Sequence, residues 1–393
     1  MMPQGTAMKV PMRAVAGTVG AMERTARRVV LVGAGHAHLY VAAHARELVA
    51  AGLEVTLVDP DRFWYSGLAT GMLGGSYDAA DDQVDAGRLI ESRGGRFLRD
   101  RVVGLDRDRR AVTLESGGRL DFDAVSLNVG SEVSLAHVPG AEAYAWPVKP
   151  TSNLWRLRRT LEERFQEGAT LRVVVAGGGA SGCEVAANIE ALARRRGARL
   201  ELALISRSDR LLRRHPERAS RQVTAELRRR RIMVSLGCAV DEATPGRVIC
   251  SDGRRPEFDL LVVATGLQAP RVIASAGVSL GEKRGVLIGA TLQSVDDPRV
   301  FAVGDCADLR GHPLERFGVF AVRQSPILLH NLGAVLNGGT LQEFRPQRRW
   351  LSILNLGAGR GLALWGRWSW RGRIALLLKD RIDRRFLARY KAT

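Results

Sequence analysis

Two glycine-rich turns hold the residue types and spacing that could do chemistry. The first reads Val29-Val30-Leu31-Val32-Gly33-Ala34-Gly35-His36-Ala37-His38, the second Val173-Val174-Val175-Ala176-Gly177-Gly178-Gly179-Ala180-Ser181-Gly182. Each follows a short β-branched run and enters an alanine-rich stretch. This is the strand–turn–helix setting in which a G-x-G-x-x-G turn takes a dinucleotide. The glycines let the backbone turn tightly and approach a pyrophosphate, whose charge then rests on the helix N-terminus. Two such turns in one chain point to two dinucleotides, one resident and one visiting.

The copies differ in detail. In the first, Gly33 and Gly35 are in place, but His38 stands where the third glycine would serve helix–strand packing. Leu53-Glu54-Val55-Thr56-Leu57-Val58 reads as the next strand and ends in Asp59, 24 residues after Gly35. That is close to the spacing at which a carboxylate accepts hydrogen bonds from an adenosine ribose. The second copy has all three glycines, Gly177, Gly179 and Gly182, and its next strand, Leu200–Ile205, ends in Ser206-Arg207. An arginine there suits a 2′-phosphate. It is also one arginine among many, so NADH and NADPH both stay open.

These turns need elements to hold them, and the elements are duplicated as well. Val112-Thr113-Leu114-Glu115-Ser116-Gly117-Gly118 leads to Asp121-Phe122-Asp123 and then Asn128-Val129-Gly130-Ser131. Val248-Ile249-Cys250-Ser251-Asp252-Gly253 leads to Glu257-Phe258-Asp259 and then Ala264-Thr265-Gly266-Leu267. Both read as a hairpin with a glycine turn feeding a buried strand. The expected fold class is α/β: two Rossmann-like units, each a parallel sheet with a small antiparallel insertion, followed by a basic amphipathic C-terminal segment.

At 393 residues the chain has room for two or three domains. The net charge of +18 resembles a nucleic-acid signature until it is located. Residues 345–393 hold 13 Lys and Arg against 2 Asp and Glu, and residues 1–28 hold 5 against 1, so the two units themselves are close to neutral. No nucleic-acid partner is expected. Residues 1–26 are expected to be a disordered extension. They lack the apolar core of about 7–15 residues that marks a secretory signal, and Met22 is a candidate start. No apolar run approaches the ~18–20 residues of a spanning helix.

The C-terminus is different in kind. Leu364-Trp365-Gly366-Arg367-Trp368-Ser369-Trp370-Arg371 interleaves tryptophan with arginine. Arg373 to Tyr390 then reads as a helix with Ile374, Leu378, Ile382, Phe386 and Tyr390 on one face, broadened by Leu377 and Leu387, and with arginines and Lys379 on the other. Tryptophan with a basic amphipathic helix suits an anionic membrane surface. The alternative is packing on the protein's own core or on a second copy in a homodimer. The expected location is cytoplasmic, peripheral on the inner face of the cytoplasmic membrane.

Taken together, these stretches resemble the two-dinucleotide-domain flavoproteins of the pyridine nucleotide-disulfide oxidoreductase superfamily. A later strand, Val300-Phe301-Ala302-Val303, ending in Gly304-Asp305 matches the place where such chains return to their first unit. Within that group the chain is similar to the flavoprotein module fused to selenide, water dikinases, on Gly33–His38, Trp64-Tyr65-Ser66-Gly67, Phe320-Ala321-Val322-Arg323-Gln324 and Lys379–Phe386. Type II NADH:quinone and sulfide:quinone oxidoreductases are further relatives by this resemblance. It implies an FAD domain over residues 27–148 and 268–340, an NAD(P)H domain over 149–267, and a membrane-surface or dimerisation segment over 341–393. It also implies non-covalent FAD on the first turn, NADH or NADPH on the second, and hydride transfer from nicotinamide to flavin with a quinone as acceptor.

By the same resemblance, His36, His38, Asp59, Gly130, Gly304 and Asp305 belong to the FAD site, and Gly266 and Arg207 to the nucleotide site. Gln324 sits beside the flavin on a helix over 319–337, which Pro326 either starts or kinks. Glu184 faces the nicotinamide, and Lys149 lies at the inter-domain crossing near the flavin ring. The four cysteines, 183, 238, 250 and 306, form no C-x-x-C or C-x-x-x-x-C pair in sequence, so a flavin–dithiol relay is not expected. Cys306, next to Asp305, is the thiol with a claim to catalysis, alone or paired with Cys183 or another cysteine. No metal site is expected from His36, His38 and His44. Two other readings stay open: a soluble flavoprotein reductase acting on a sulfur or selenium compound or a protein partner, and a flavin-binding module without turnover.

Overall fold

The structure is a computed structural model and describes residues 26–391. The extension expected over residues 1–26 lies outside the described residues but for Ala26. The chain runs β1 (Arg27–Val32), α1 (His36–Ala43), β2 (Leu53–Val58), α2 (Ser66–Leu73), β3 (Arg96–Leu98) and β4 (Ala124–Leu127). It continues with β5 (Ala145–Pro147), α3 (Ser152–Gln166), β6 (Leu171–Ala176), α4 (Ala180–Arg196), β7 (Leu200–Ile205), α5 (Glu217–Arg229) and β8 (Met233–Ser235). Then come a hairpin, β9 (Val240–Thr244) with β10 (Arg247–Cys250), and β11 (Leu260–Val263). The last part is β12 (Val300–Ala302), α6 (Gly318–Asn337), β13 (Leu351–Asn355), β14 (Gly361–Trp365), β15 (Trp368–Gly372) and α7 (Arg373–Lys391).

Two five-stranded parallel sheets follow from this order: β12-β4-β1-β2-β3, and β5-β11-β6-β7-β8. Their central strands are buried on both faces, which is why they read as near-continuous apolar runs, interrupted in β4 by Ser126, rather than alternating ones. The duplication extends to the insertions. Val102–Asp106, Ala111–Leu114 and Arg119–Asp121 form an antiparallel sheet in the first unit, and β9–β10 do so in the second, with Arg247 bridged to Glu257. The second sheet takes in Ala145–Pro147, ahead of the boundary expected at residue 149. The units are joined where Glu132–Val133 pairs antiparallel with Leu267–Gln268 and Ser134 N–H donates to Gly266 O at 2.9 Å.

The C-terminal segment belongs to both units. β13–β15 form an antiparallel sheet that adds Leu354, Leu356, Leu362 and Leu364 to the second core. α7 adds Phe386, Leu387 and Tyr390 to the first. The buried Glu226 of α5 anchors the sheet, pairing with Arg371 at 3.0 Å and Arg229 at 2.7 Å.

The helix of residues 373–390 forms, but its faces differ from those expected. Each i+4 step advances 40° beyond a full turn, because 3.6 residues complete one turn. The line Ile374, Leu378, Ile382, Phe386, Tyr390 therefore winds from one side of the helix to the other. Ile374, Leu377, Leu378 and Ile382 are exposed, whereas Phe386, Leu387 and Tyr390 are buried. Lys379, expected on the polar face, lies on the buried side, and Arg381, Arg385 and Arg389 share the exposed side with the apolar residues.

Candidate active site

The first glycine turn is built by what surrounds it. Gly33 has φ +86° and its N–H donates to Val58 O at 2.8 Å. A Cβ on Gly35 would lie 2.3 Å from Asn128 Oδ1. Asp59, at the end of β2, accepts from Ala34 N–H at 2.6 Å, and burial pushes its carboxyl above the usual range. Asn128 accepts from Ala37 N–H (3.0 Å) and His38 N–H (3.2 Å), and its Nδ2 donates to Val303 O at 2.9 Å. One side chain thus fastens the first turn of α1 to the ends of β4 and β12. The sequence reading missed Asn128, whose signal was a polar residue closing an apolar strand where the second unit has Ala264. Among the described residues the N–H groups of Gly35 and His36 have no acceptor, and this is the set an approaching phosphate needs.

His38 explains the missing third glycine. In the second turn a Cβ on Gly182 would come within 1.8 Å of Gly177 O. At the same place in the first turn, His38 Nδ1 bonds Gly33 O at 2.6 Å and Nε2 meets Ser126 Oγ at 2.8 Å. Since a carbonyl only accepts, Nδ1 carries the proton and Nε2 accepts from the serine hydroxyl. The ring is fully buried, and burial pushes its pKa down to about 4. The side chain therefore faces the protein interior rather than the cofactor space expected for it.

Lys149 and Asp305 both lie within electrostatic reach of His36. Burial pushes His36 down to about 4, with Lys149 adding to the shift and Asp305 opposing it. Lys149 Nζ donates to Thr151 Oγ1 at 3.4 Å, and Asp305 accepts from Ser131 Oγ at 2.8 Å. Gly130 and Gly304, with φ +71° each, turn the chain beside this group, as Gly266 (φ +67°) does at the matching end of β11. α6 spans Gly318–Asn337 with its N-terminus against His36: a Cβ on Gly318 would lie 3.3 Å from His36 Nε2. Pro326 sits inside the helix, and Ser325 Oγ donates to Val322 O, the carbonyl that Pro326 has no N–H to reach. Gln324 is buried and accepts from Gly304 N–H at 2.8 Å, which ties α6 to the Gly304-Asp305 turn. Cys306 points into the first core and donates to Leu127 O and Val303 O. Burial pushes its thiol up to about 11.

The second turn is more open. Gly177 has φ +136° and donates to Ile205 O at 2.8 Å, while a Cβ on Gly179 would meet nothing within 4 Å. Arg207 is exposed at the end of β7. Glu184 lies in the first turns of α4 and accepts from Asn355 N–H (2.7 Å) and Thr70 Oγ1 (3.2 Å). Burial raises its carboxyl pKa. It thus joins α4, α2 and β13, a link that spacing alone did not show. A second link joins two stretches the sequence had singled out. Tyr65 Oη donates to Asp383 Oδ1 at 2.8 Å, and Lys379 Nζ donates to Asp383 Oδ2 at 2.7 Å and Gly67 O at 2.6 Å. Tyr65 also stacks on Phe386, their centroids 4.8 Å apart. Both turns fit a dinucleotide: glycine at each point of close approach, and open N–H groups at a helix start.

The profile described as pyridine nucleotide-disulphide oxidoreductase matches residues 27–330. The chain is similar to the alternative NAD(P)H-ubiquinone oxidoreductase C1, chloroplastic/mitochondrial, of Arabidopsis thaliana, with 26% identity over 368 residues, 81% of this chain and 69% of that one. The type II NADH:quinone oxidoreductase of Staphylococcus saprophyticus is 22% identical over 396 residues, 93% and 96% of the two chains. In fold, the sulfide:quinone oxidoreductase of Aquifex aeolicus matches with a TM-score of 0.78 over 93% of this chain and 92% of that one, at 18% identity. The chain belongs to the pyridine nucleotide-disulphide oxidoreductase family, with FAD and NAD(P)H as its cofactors.

Proposed function

We propose that this protein takes hydride from NAD(P)H on its second turn, holds FAD on its first, and delivers electrons to a quinone at a membrane surface. FAD supplies the redox chemistry when bound. The chain supplies the rest. Gly33, Gly35 and the N–H groups of Gly35 and His36 would hold the pyrophosphate, Asp59 the adenosine ribose, and Asp305 the ribityl chain. The N-terminus of α6, with Lys149, favours negative charge in the space beside His36. Gln324 acts by positioning, since its amide fixes the Gly304-Asp305 turn. Glu184, its carboxyl pKa raised by burial, would face the nicotinamide where the two units and β13 meet.

One observation carries the quinone reading. α7 presents Ile374 (76% exposed), Leu377 (67%), Leu378 and Ile382 to the outside, and the β14–β15 turn adds Trp365, Trp368 (73%) and Trp370. Soluble monomers rarely leave so many large apolar groups together in water. The opposite face of the same helix carries Lys379, Asp383 and Phe386, which touch Gly67 and Tyr65 beside His36. A helix with its side chains is about 10–12 Å across. A surface seated among lipid headgroups would thus stand one helix thickness from the flavin side, within reach of an acceptor dissolved in the membrane. No helix among the described residues is long and apolar enough to cross a membrane, so the attachment is by this face. The arginines interleaved with it favour anionic lipid.

Anaerobic stopped-flow absorbance tests the reading. Mixing the yellow protein with NADH or NADPH should bleach the flavin band within the dead time or shortly after, and a short-chain quinone should restore it. Flavin that stays oxidised with both nucleotides, or reduced flavin that ignores quinone, overturns it.

A further inference from the structure

Outside this site, two of the four cysteines lie side by side. The Sγ atoms of Cys238 and Cys250 and the carboxylate of Asp252 all fall within 4.8 Å of one another. No sequence motif joins the two cysteines; the fold does. Cys238 lies in the loop between β8 and β9, and Cys250 ends β10 as the register partner of Val240, two residues beyond Cys238. Ser251 N–H donates to Ala239 O, and Ala239 N–H to Ser251 Oγ, both at 3.0 Å, which holds the strands together at that level.

The pair touches the nucleotide edge of the second unit. Gly237 N–H donates to Ser208 O, and Cys238 N–H to Ser206 O, both at 2.9 Å. The loop that carries Cys238 is therefore zipped to Ser206-Arg207-Ser208, the segment after β7 that would read the adenosine ribose. A change of geometry at Cys238 is transmitted to that segment through two main-chain hydrogen bonds.

Two chemistries suit paired thiols, a metal ion and a disulfide. Asp252 is not free to ligate: its carboxylate accepts from Arg254 N–H at 3.1 Å and from Arg254 Nε at 2.7 Å. The Arg254 guanidinium also lies against Cys238 and presents positive charge where a metal ion would sit. Two sulfurs without a third ligand fall short of a structural zinc site, which takes four. The observations favour oxidation.

We propose that Cys238 and Cys250 form a reversible disulfide that weakens binding of the nicotinamide nucleotide, a proposal that rests on the second turn being the nucleotide site. With hydrogen peroxide as oxidant, the two thiols give up two hydrogens and two electrons, one S–S bond forms, and the peroxide O–O bond breaks to yield two waters. A dithiol reverses the step by exchange. The reaction is slow and gated. Both cysteines are buried, which keeps an oxidant from them until the turn opens, and burial also pushes the Cys250 thiol up to about 12. The β9–β10 hairpin is a two-stranded sheet with an exposed turn, Ser251 to Gly253, and a structure of that kind opens locally at small cost.

The test uses the flavin-loaded protein treated with hydrogen peroxide under native conditions. Non-reducing peptide mapping should show the Cys238 and Cys250 peptides joined and two hydrogens lighter, and dithiothreitol should separate them. The KM for the nucleotide should rise about five-fold or more, with kcat retained. C250S should keep the KM of the reduced protein and lose the response, and C238S gives an independent check should C250S fold poorly. A cross-link that forms only after denaturation, or formation of sulfinic acid at single cysteines instead, overturns the proposal. So does a native cross-link that leaves KM unchanged. Saturation by nucleotide is measured on the reduced protein before oxidant is added, so failure of the second-turn reading is seen separately from failure of the bond to form.

Discussion

His38 sits where a G-x-G-x-x-G turn puts its last glycine, and both its ring nitrogens are engaged inside the protein. Replacing it with alanine removes the ring and strands Gly33 O and Ser126 Oγ in the core. We expect His38→Ala to cost about 2–4 kcal/mol in a urea titration and to weaken FAD retention, because the same turn holds both. pH adds a second signature. His36 and His38 both have folded pKa values near 4 against an ordinary 6.5. The unfolded chain therefore binds protons below pH 6.5 that the native state refuses until near pH 4, and stability falls as pH drops through that window. The fall should be shallower in His38→Ala. Asp82 gives the opposite slope. It is fully buried, neither carboxylate oxygen has a partner among the described residues, and burial, despite Lys391 and Lys379 nearby, pushes it up to about 9. The unfolded chain ionises Asp82 near pH 4 while the native state holds the proton, so its penalty grows from about pH 4 to about pH 9. Asp82→Asn should raise Tm at pH 8 and leave it nearly unchanged at pH 4. An equal Tm shift at both pH values would mean that the carboxyl is not held neutral.

At the scale of elements, α7 divides along its length and around its axis, and substitutions should divide with it. Phe386 packs on Tyr65 and Tyr390, so Phe386→Ala should cost about 3–5 kcal/mol. Leu377, exposed on the other face, should tolerate Leu377→Ala within about 0.5 kcal/mol by the same urea titration. Equal costs would place the helix elsewhere. The contrast also shows what was legible beforehand. The central strands of both sheets and the two turns could be read because their signals are local: β-branched runs, glycine spacing and an alanine-rich start. The short strands Arg96–Leu98, Ala145–Pro147 and Met233–Ser235 carry no such run, and the helix over 319–337 followed from the resemblance. The apolar line on α7 was visible, but not which part of it is buried, since a 40° drift per step is harmless on paper and decisive against a core. The β14–β15 hairpin was read as alternating tryptophan and arginine. Its turn, Gly366-Arg367 with φ +55° at Gly366, was the signal that would have shown a hairpin. Asn128 to Val303, Tyr65 to Asp383, Glu184 to Asn355 and Cys238 beside Cys250 are all tertiary meetings. No spacing along the chain encodes them.

Over the whole molecule, positive charge and exposed apolar surface occupy the same region. The net charge is +18, most of it in residues 345–393, and Arg381, Arg385 and Arg389 stand beside Ile374, Leu377, Leu378 and Ile382. Neither contribution suffices alone. Each basic residue at an anionic surface contributes about 1 kcal/mol, and that attraction is screened beyond about 8 Å in physiological salt. The apolar face adds a term that salt does not screen. We therefore expect binding to phosphatidylserine-containing vesicles at low salt, at least ~10-fold weaker binding in several hundred millimolar salt, and weak residual binding to neutral vesicles. The double substitution Ile374→Glu and Leu377→Glu should remove the residual binding without lowering Tm, because neither side chain is packed. The same substitution separates attachment from chemistry. Turnover with a long-chain quinone embedded in vesicles should fall with binding, while turnover with a water-soluble quinone should stay the same. If both rates fall together, the face serves the active site itself. If neither falls while vesicle binding is lost, the acceptor does not come from the membrane.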